Sequence, residues 1–161
     1  MENSRQEASG FTIWVDADAC PREARELIMR TAVRRCVRAV FVANSHLAVP
    51  HSAFISFILV PQGFDKADDH IVERGDGRDL AITGDIPLAA RLIERDILVI
   101  NTRGEEWTTA NIGERLAMRN LMEELRSAGL ATGGPKEFEP ADRQRFANAL
   151  DRFLTRRLKT L

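Results

Sequence analysis

Five short runs rich in β-branched and aromatic residues recur along the chain: FTIWV (11–15), VRAVFVA (37–43), FISFILV (54–60), DLAIT (79–83) and ILVIN (97–101). Several are apolar at successive positions rather than at alternate ones. A strand that is apolar on both faces needs cover on both, which is the situation of a parallel sheet with helices packed on either side. The intervening segments supply those helices, because residues 21–35, 66–74 and 87–95 follow a helical pattern. The alternation predicts an α/β fold with an open sheet of about five mostly parallel strands flanked by helices.

After Asn101 the pattern becomes helical. NIGERLAMRNLMEELRSAG carries Ile112, Leu116, Met122 and Leu125 at helical intervals and closes on Gly129, a residue suited to a helix C-terminus. LATGGPKEFEP reads as a loop, and a last helix begins at Ala141 with Phe146, Leu150, Phe153 and Leu154 on one face. Both C-terminal helices are expected to pack on the sheet. The connection NSHLAVPHSA is shorter than the dozen or more residues that a parallel crossover commonly needs, so the direction of the third strand stays open. The polar start, residues 1–10, is expected to be a flexible tail, and residues 11–158 a single domain.

No apolar run approaches the roughly 20 residues of a membrane span, and the start lacks a secretory apolar stretch. The expectation is a cytoplasmic protein with no membrane partner. Cys20 and Cys36 form no CxxC pair and have no histidine cluster near them, which argues for free thiols rather than zinc. His46, His51 and His70 show no metal-ligand spacing either. Acid is concentrated in residues 62–102, with nine Asp and Glu against five Lys and Arg.

In open α/β sheets, ligands bind at the carboxyl ends of the strands, where the strand order reverses. Asp16 and Asp18 follow the first run directly, and Asp85, in AITGDIPLA, follows the fourth. If those two strands are neighbours, carboxylates from distant parts of the chain converge and repel one another unless protonated or neutralised by a cation. GFDKADDHIVERG offers more acid. Asp65 and Asp68 have the spacing of a helix-capping pair, yet Asp68 shares a face with Val72 beside the Ala67–Ile71 stripe and is expected to point inward. Asp69 falls on the flank beside Glu73.

Oxygen-only ligands suit Mg²⁺ or Mn²⁺, ions that support in-line hydrolysis of phosphodiesters. The expected metal ligands are Asp16, Asp68 and Asp85, with Asp18 and Asp69 supporting catalysis; Asp18 also has a capping role open to it before Pro21. Lys66 and Arg119 are candidates for contacting the substrate, RNA or another nucleic acid.

VDADACP, FDKADDHIVERG, ITGDIPLAARLI, NTRGEEWTTANI and GGPKEF, taken in order over about residues 12–155, resemble the YaiI/YqxD family of uncharacterised bacterial proteins. That resemblance implies a PIN-like fold. A wider, local resemblance is to PIN-domain nucleases, which place one Asp after the first strand, one at the opening of a helix and one in a Thr-x-Asp turn. Asp16, Asp68 and Thr83-Gly84-Asp85 match in that order. The glutamate that the PIN pattern carries on an earlier helix has no counterpart in NSHLAVPHSA, which leaves Asp18 or Asp69 to replace it.

Other readings compete. VDADAC also resembles the opening of haloacid-dehalogenase-like phosphatases, in which the first Asp attacks phosphorus and the second handles the proton. Their later acidic motif has a second Asp, whereas Gly84–Asp85 is followed by IPLAARL, and Lys66 is the only lysine before residue 136. Cys20 at a helix start suggests a thiolate, but a cysteine phosphatase wants arginine six positions on, where Glu26 stands. A non-catalytic module that binds RNA or protein through Arg145, Arg152, Arg156 and Arg157 is the third class. Trp107, in a chain without tyrosine, is expected in the core.

Overall fold

The computed structural model describes residues 10–63, 65–131 and 137–159. Residues 1–9 of the expected tail and residues 132–136 of the expected loop lie outside them. In chain order the elements are β1 (Thr12–Asp16), α1 (Arg22–Arg35), β2 (Arg38–Ala43), β3 (Ile55–Leu59), α2 (Lys66–Arg74), β4 (Leu80–Ile82), α3 (Ile86–Ile93), β5 (Leu98–Ile100), β6 (Glu106–Trp107), α4 (Ile112–Ser127) and α5 (Pro140–Lys159). The sheet runs β3-β2-β1-β4-β5-β6. Its first five strands are parallel, and β6 pairs antiparallel with β5. This mostly parallel α/β sheet is consistent with a PIN-like fold.

Because side chains alternate across a strand, the doubly apolar runs feed two cores. Ile13 and Val15 of β1, with Ala39, Phe41, Leu80 and Ile82, pack against Ala24 and Ile28 of α1 and Phe146, Leu150 and Leu154 of α5. Trp14, Val40, Val42, Ala81 and Val99 point the other way, to Ile71 of α2 and Leu88 and Leu92 of α3. Neither core would close without helices on its side.

Three features depart from, or decide, the sequence reading. β3 is parallel to β2, with Ala39 level with Ile55; residues 44–54 make the return with no helix. An extended chain spans up to about 3.3 Å per residue, so a segment of this length readily retraces a five-residue strand. The β5–β6 hairpin adds a sixth, two-residue strand, too short for a periodic signal. α4 does not cover the sheet: it packs along α3 and buries none of its residues, leaving Met118 54% and Leu121 49% exposed. The sheet face on that side is already filled by α2 and α3. Among the described residues, no helix is long and apolar enough to cross a membrane.

Candidate active site

The strand order reverses between β1 and β4, which leave the centre of the sheet toward opposite edges. Val15 is level with Ile82, so the next residues, Asp16 and Thr83, meet at the carboxyl edge. There the Thr83 hydroxyl donates to Asp16 Oδ2 at 2.9 Å. The same hydroxyl oxygen accepts the Asp85 amide at 3.0 Å, and Asp85 Oδ1 accepts the Leu88 amide at 3.0 Å, capping α3. Two of the predicted ligands are thus joined through one threonine. Asp85 thus caps α3, a role the sequence reading did not assign to it.

The electrostatics bring in the third. Asp16 is buried, and burial raises its carboxyl above the ordinary range; the Thr83 hydrogen bond opposes this, and the charges of Asp85 and Asp18 add to it. Asp68, in the first turn of α2, is half-buried. Burial is the main cause that lifts its carboxyl from 3.8 to about 7, with Asp85, Asp16 and Asp65 adding and Arg91 opposing. Asp16 and Asp68 therefore both lie in the field of the Asp85 carboxylate, whose charge disfavours the ionised form of each.

The remaining candidates lie around this trio. Asp18 is exposed; its Oδ2 accepts the Asn44 amide at 2.9 Å and its Oδ1 the Ser45 hydroxyl at 3.3 Å. It ties the end of β1 to the β2–β3 connection and does not cap α1, where Pro21 takes the N-cap position without a side-chain bond. Asp65 occupies the N-cap of α2 in a left-handed conformation, also without a capping bond, so the Asp65–Asp68 capping pair does not form. Asp69 pairs with Arg91 of α3 at 2.9 Å. Lys66 is exposed at the start of α2, and Arg119 pairs with Glu123 at 2.9 Å on α4. His46 stacks edge-on to Phe57, and His70 edge-on to Trp14.

Burial pushes the Cys20 thiol up to about 12, with Arg25 opposing and Asp16 adding. It is no thiolate at neutral pH.

Among the described residues, no three His, Cys, Asp or Glu side chains form a ready metal-ligand group. The donor chemistry nevertheless fits a hard cation. Asp16 Oδ1, Asp85 Oδ2 and both Asp68 oxygens accept no hydrogen bond from the described residues. Mg²⁺ is commonly held by one or two carboxylates, with waters completing the octahedron.

The model of the Uncharacterized BCR, YaiI/YqxD family matches residues 14–156, a span that contains every residue of this site. The chain belongs to the YaiI/YqxD family. A UPF0178 protein of Dechloromonas aromatica (strain RCB) is 57% identical over 144 residues, covering 89% of this chain and 96% of that protein. A UPF0178 protein of Psychromonas ingrahamii is 53% identical over 150 residues, covering 93% and 99%. No solved structure matches significantly.

Sequence reasoning passed over two polar residues of this YaiI/YqxD chain. Thr83 was visible in the Thr-x-Asp turn, but not its role as the link from Asp85 to Asp16. Asp79 is buried and accepts the Thr12 amide, the Trp14 indole N–H and the Asp76 amide. It belongs to the opposite edge of the sheet, and no local pattern marks it.

The raised carboxyl of Asp68 has a consequence for stability. Native protein holds a proton on Asp68 that the unfolded chain has shed between about pH 4 and pH 7, and Asp16 is shifted in the same direction. Stability of the metal-free protein therefore falls as pH rises through that window. Asp76 and Asp142 are shifted down by hydrogen bonds, so their effect lies at more acid pH. Thermal unfolding in EDTA should show a declining Tm from pH 5 to pH 8, and Asp68→Asn should flatten the decline. An equal slope in the variant would contradict this account.

Proposed function

We propose that this YaiI/YqxD chain is a divalent-metal-dependent phosphodiesterase acting on RNA. The observation that carries the reading is the Thr83-linked pair of Asp16 and Asp85 at the β1–β4 switch point, with Asp68 in the same field. Mg²⁺ or Mn²⁺ would be held by Asp16, Asp68 and Asp85, and would supply Lewis-acid polarisation of a phosphate oxygen and a water of lowered pKa for in-line attack. The chain's own groups prepare for that. Thr83 fixes the Asp16 carboxylate by its hydroxyl, and the α3 cap fixes Asp85, so both acids are held before ligand arrives. Asp68, protonated in part at neutral pH, would give up its proton on holding a cation.

The phosphatase reading draws less support, because both oxygens of Asp18, its proton-handling residue, are engaged by Asn44 and Ser45. The binding-module reading would use α5, where Arg145 already pairs with Asp142 and Arg157 lies over the Phe153 ring.

Calorimetric titration of Mn²⁺ near pH 6.5, in two buffers of different ionisation enthalpy, is the decisive experiment. The expected result is saturable binding with proton release, accompanied by Mn²⁺-dependent, EDTA-sensitive cleavage of an oligoribonucleotide. Turnover of small phosphomonoesters instead would favour the phosphatase. Salt-sensitive RNA binding with neither Mn²⁺ uptake nor cleavage would favour the binding module.

A further inference from the structure

Beside the carboxylates, a crevice of about 380 Å³ opens at the ends of β1, β4 and β5. Ala19, Pro21, Gly84, Arg103, Trp107 and Phe138 are among the residues that line it. It adjoins the acid site in two places, since Ala19 follows Asp18 and Gly84 joins Thr83 to Asp85.

Arg103 is presented by a built turn. Asn101 Oδ1 accepts the amides of Arg103 and Glu105 at 3.0 and 2.9 Å. Gly104 takes φ +82°, and a Cβ there would meet the Arg145 carbonyl oxygen at 2.6 Å, so only glycine lets the turn sit this close to α5. The remaining walls are mostly apolar. Trp107, 4% exposed, packs as core, yet its indole Nε1–H has no acceptor among the described residues.

The lining thus combines mostly apolar walls with one guanidinium, that of Arg103, whose charge also acts on Asp142; the acid site adjoins it through Asp18 and Asp85. A simple anion gains little from the apolar walls, and a purely apolar ligand gains nothing from the Arg103 charge. A nucleotide has both an uncharged flat body and a phosphate. The volume lies at the small end of the range for ligand pockets, roughly 300–1,000 Å³, which admits one nucleotide and no base pair. Entry of a base requires that it be unpaired.

We propose that this crevice docks one unpaired nucleotide of a single-stranded nucleic acid, with Arg103 holding its phosphate. The proposal rests on the phosphodiesterase reading for the identity of the adjoining group, which would be the scissile phosphate; docking itself requires no metal.

The test is fluorescence anisotropy of a labelled oligouridylate about ten nucleotides long, in EDTA and at several salt concentrations. Arg103→Ala should weaken binding roughly tenfold and lower the salt slope by about 0.7, the share of one phosphate contact on a single strand. Ala19→Trp, at an exposed position away from both cores, should weaken binding by filling the crevice while keeping the melting temperature. A duplex of the same length should bind equally to all three proteins. Wild type that fails to bind the oligouridylate, or binding unchanged in both variants, overturns the proposal. Mn²⁺ titration of the same proteins separates the two readings. Uptake retained by the variants is expected, whereas Arg103-dependent binding in a protein that takes up no Mn²⁺ would leave the crevice and remove the phosphodiesterase.

Discussion

Asp16→Asn should eliminate Mn²⁺ uptake and reduce phosphodiester cleavage at least about a thousandfold, the several kcal/mol that metal-assisted charge stabilisation supplies, without lowering the melting temperature. The combination is what makes the result informative. Most substitutions of a buried, hydrogen-bonded side chain cost stability. Here the native residue is held against its own preference: burial and the charges of Asp85 and Asp18 disfavour its ionised form. Asparagine keeps the shape, and its amide oxygen still accepts from Thr83, while the repulsion disappears. Uptake by calorimetry, cleavage of an oligoribonucleotide and thermal unfolding at pH 8 together check the expectation. A variant that melts many degrees lower would identify Asp16 as a structural acid, and one that still takes up Mn²⁺ would remove it from the site. Asp85→Asn makes a parallel case, because asparagine caps helices as well as aspartate does.

What could be read from the residues, and what could not, follows from the range of each interaction. The strand runs and the helices α1, α2 and α3 are set by neighbours within a few positions, and their boundaries agree with the sequence pattern to within about two residues. The meeting of Asp16 and Asp85 was legible only on condition that β1 and β4 adjoin, which they do. Asp18 shows the limit. Its sequence neighbours offer a cap before Pro21, whereas its partners, Asn44 and Ser45, arrive from the next strand. Asp85 shows the opposite error, since an acid just before Ile86-Pro87 is a helix-start signature in its own right, and ligand and cap are compatible roles for two different oxygens. For α4 the apolar stripe was read correctly as a stripe, but periodicity states only that one face is apolar. It does not say whether a sheet covers that face, and here none does.

Asp79→Ala should produce the largest loss of stability of any substitution considered for this chain. Asp79 is 6% exposed and stands just before β4, at the amino edge of the sheet. Its Oδ1 accepts the Thr12 amide at 2.8 Å; its Oδ2 accepts the Trp14 indole N–H and the Asp76 amide, each at 2.9 Å. Alanine would leave three donors without an acceptor: the Thr12 amide of β1, the Asp76 amide of the α2–β4 connection and the Trp14 indole. An unsatisfied buried donor costs roughly 1–3 kcal/mol; since water entering the vacated space satisfies some of that demand, the expected loss is about 3–5 kcal/mol. Against a total of roughly 5–15 kcal/mol for a domain, that shifts the urea midpoint strongly, with the m-value unchanged. Asp79→Asn should fall between the two, because an amide replaces one acceptor oxygen with a donor. Since β1 and β4 are parallel, Asp79 and Asp16 sit at opposite edges of the same strand pair, and the two substitutions should separate cleanly. Asp79→Ala should lower stability and leave Mn²⁺ affinity of the folded protein unchanged, and Asp16→Asn should do the reverse. If Asp79→Ala altered Mn²⁺ affinity as much as stability, the two edges would be coupled through β4, and the assignment of one to the fold and the other to chemistry would fail.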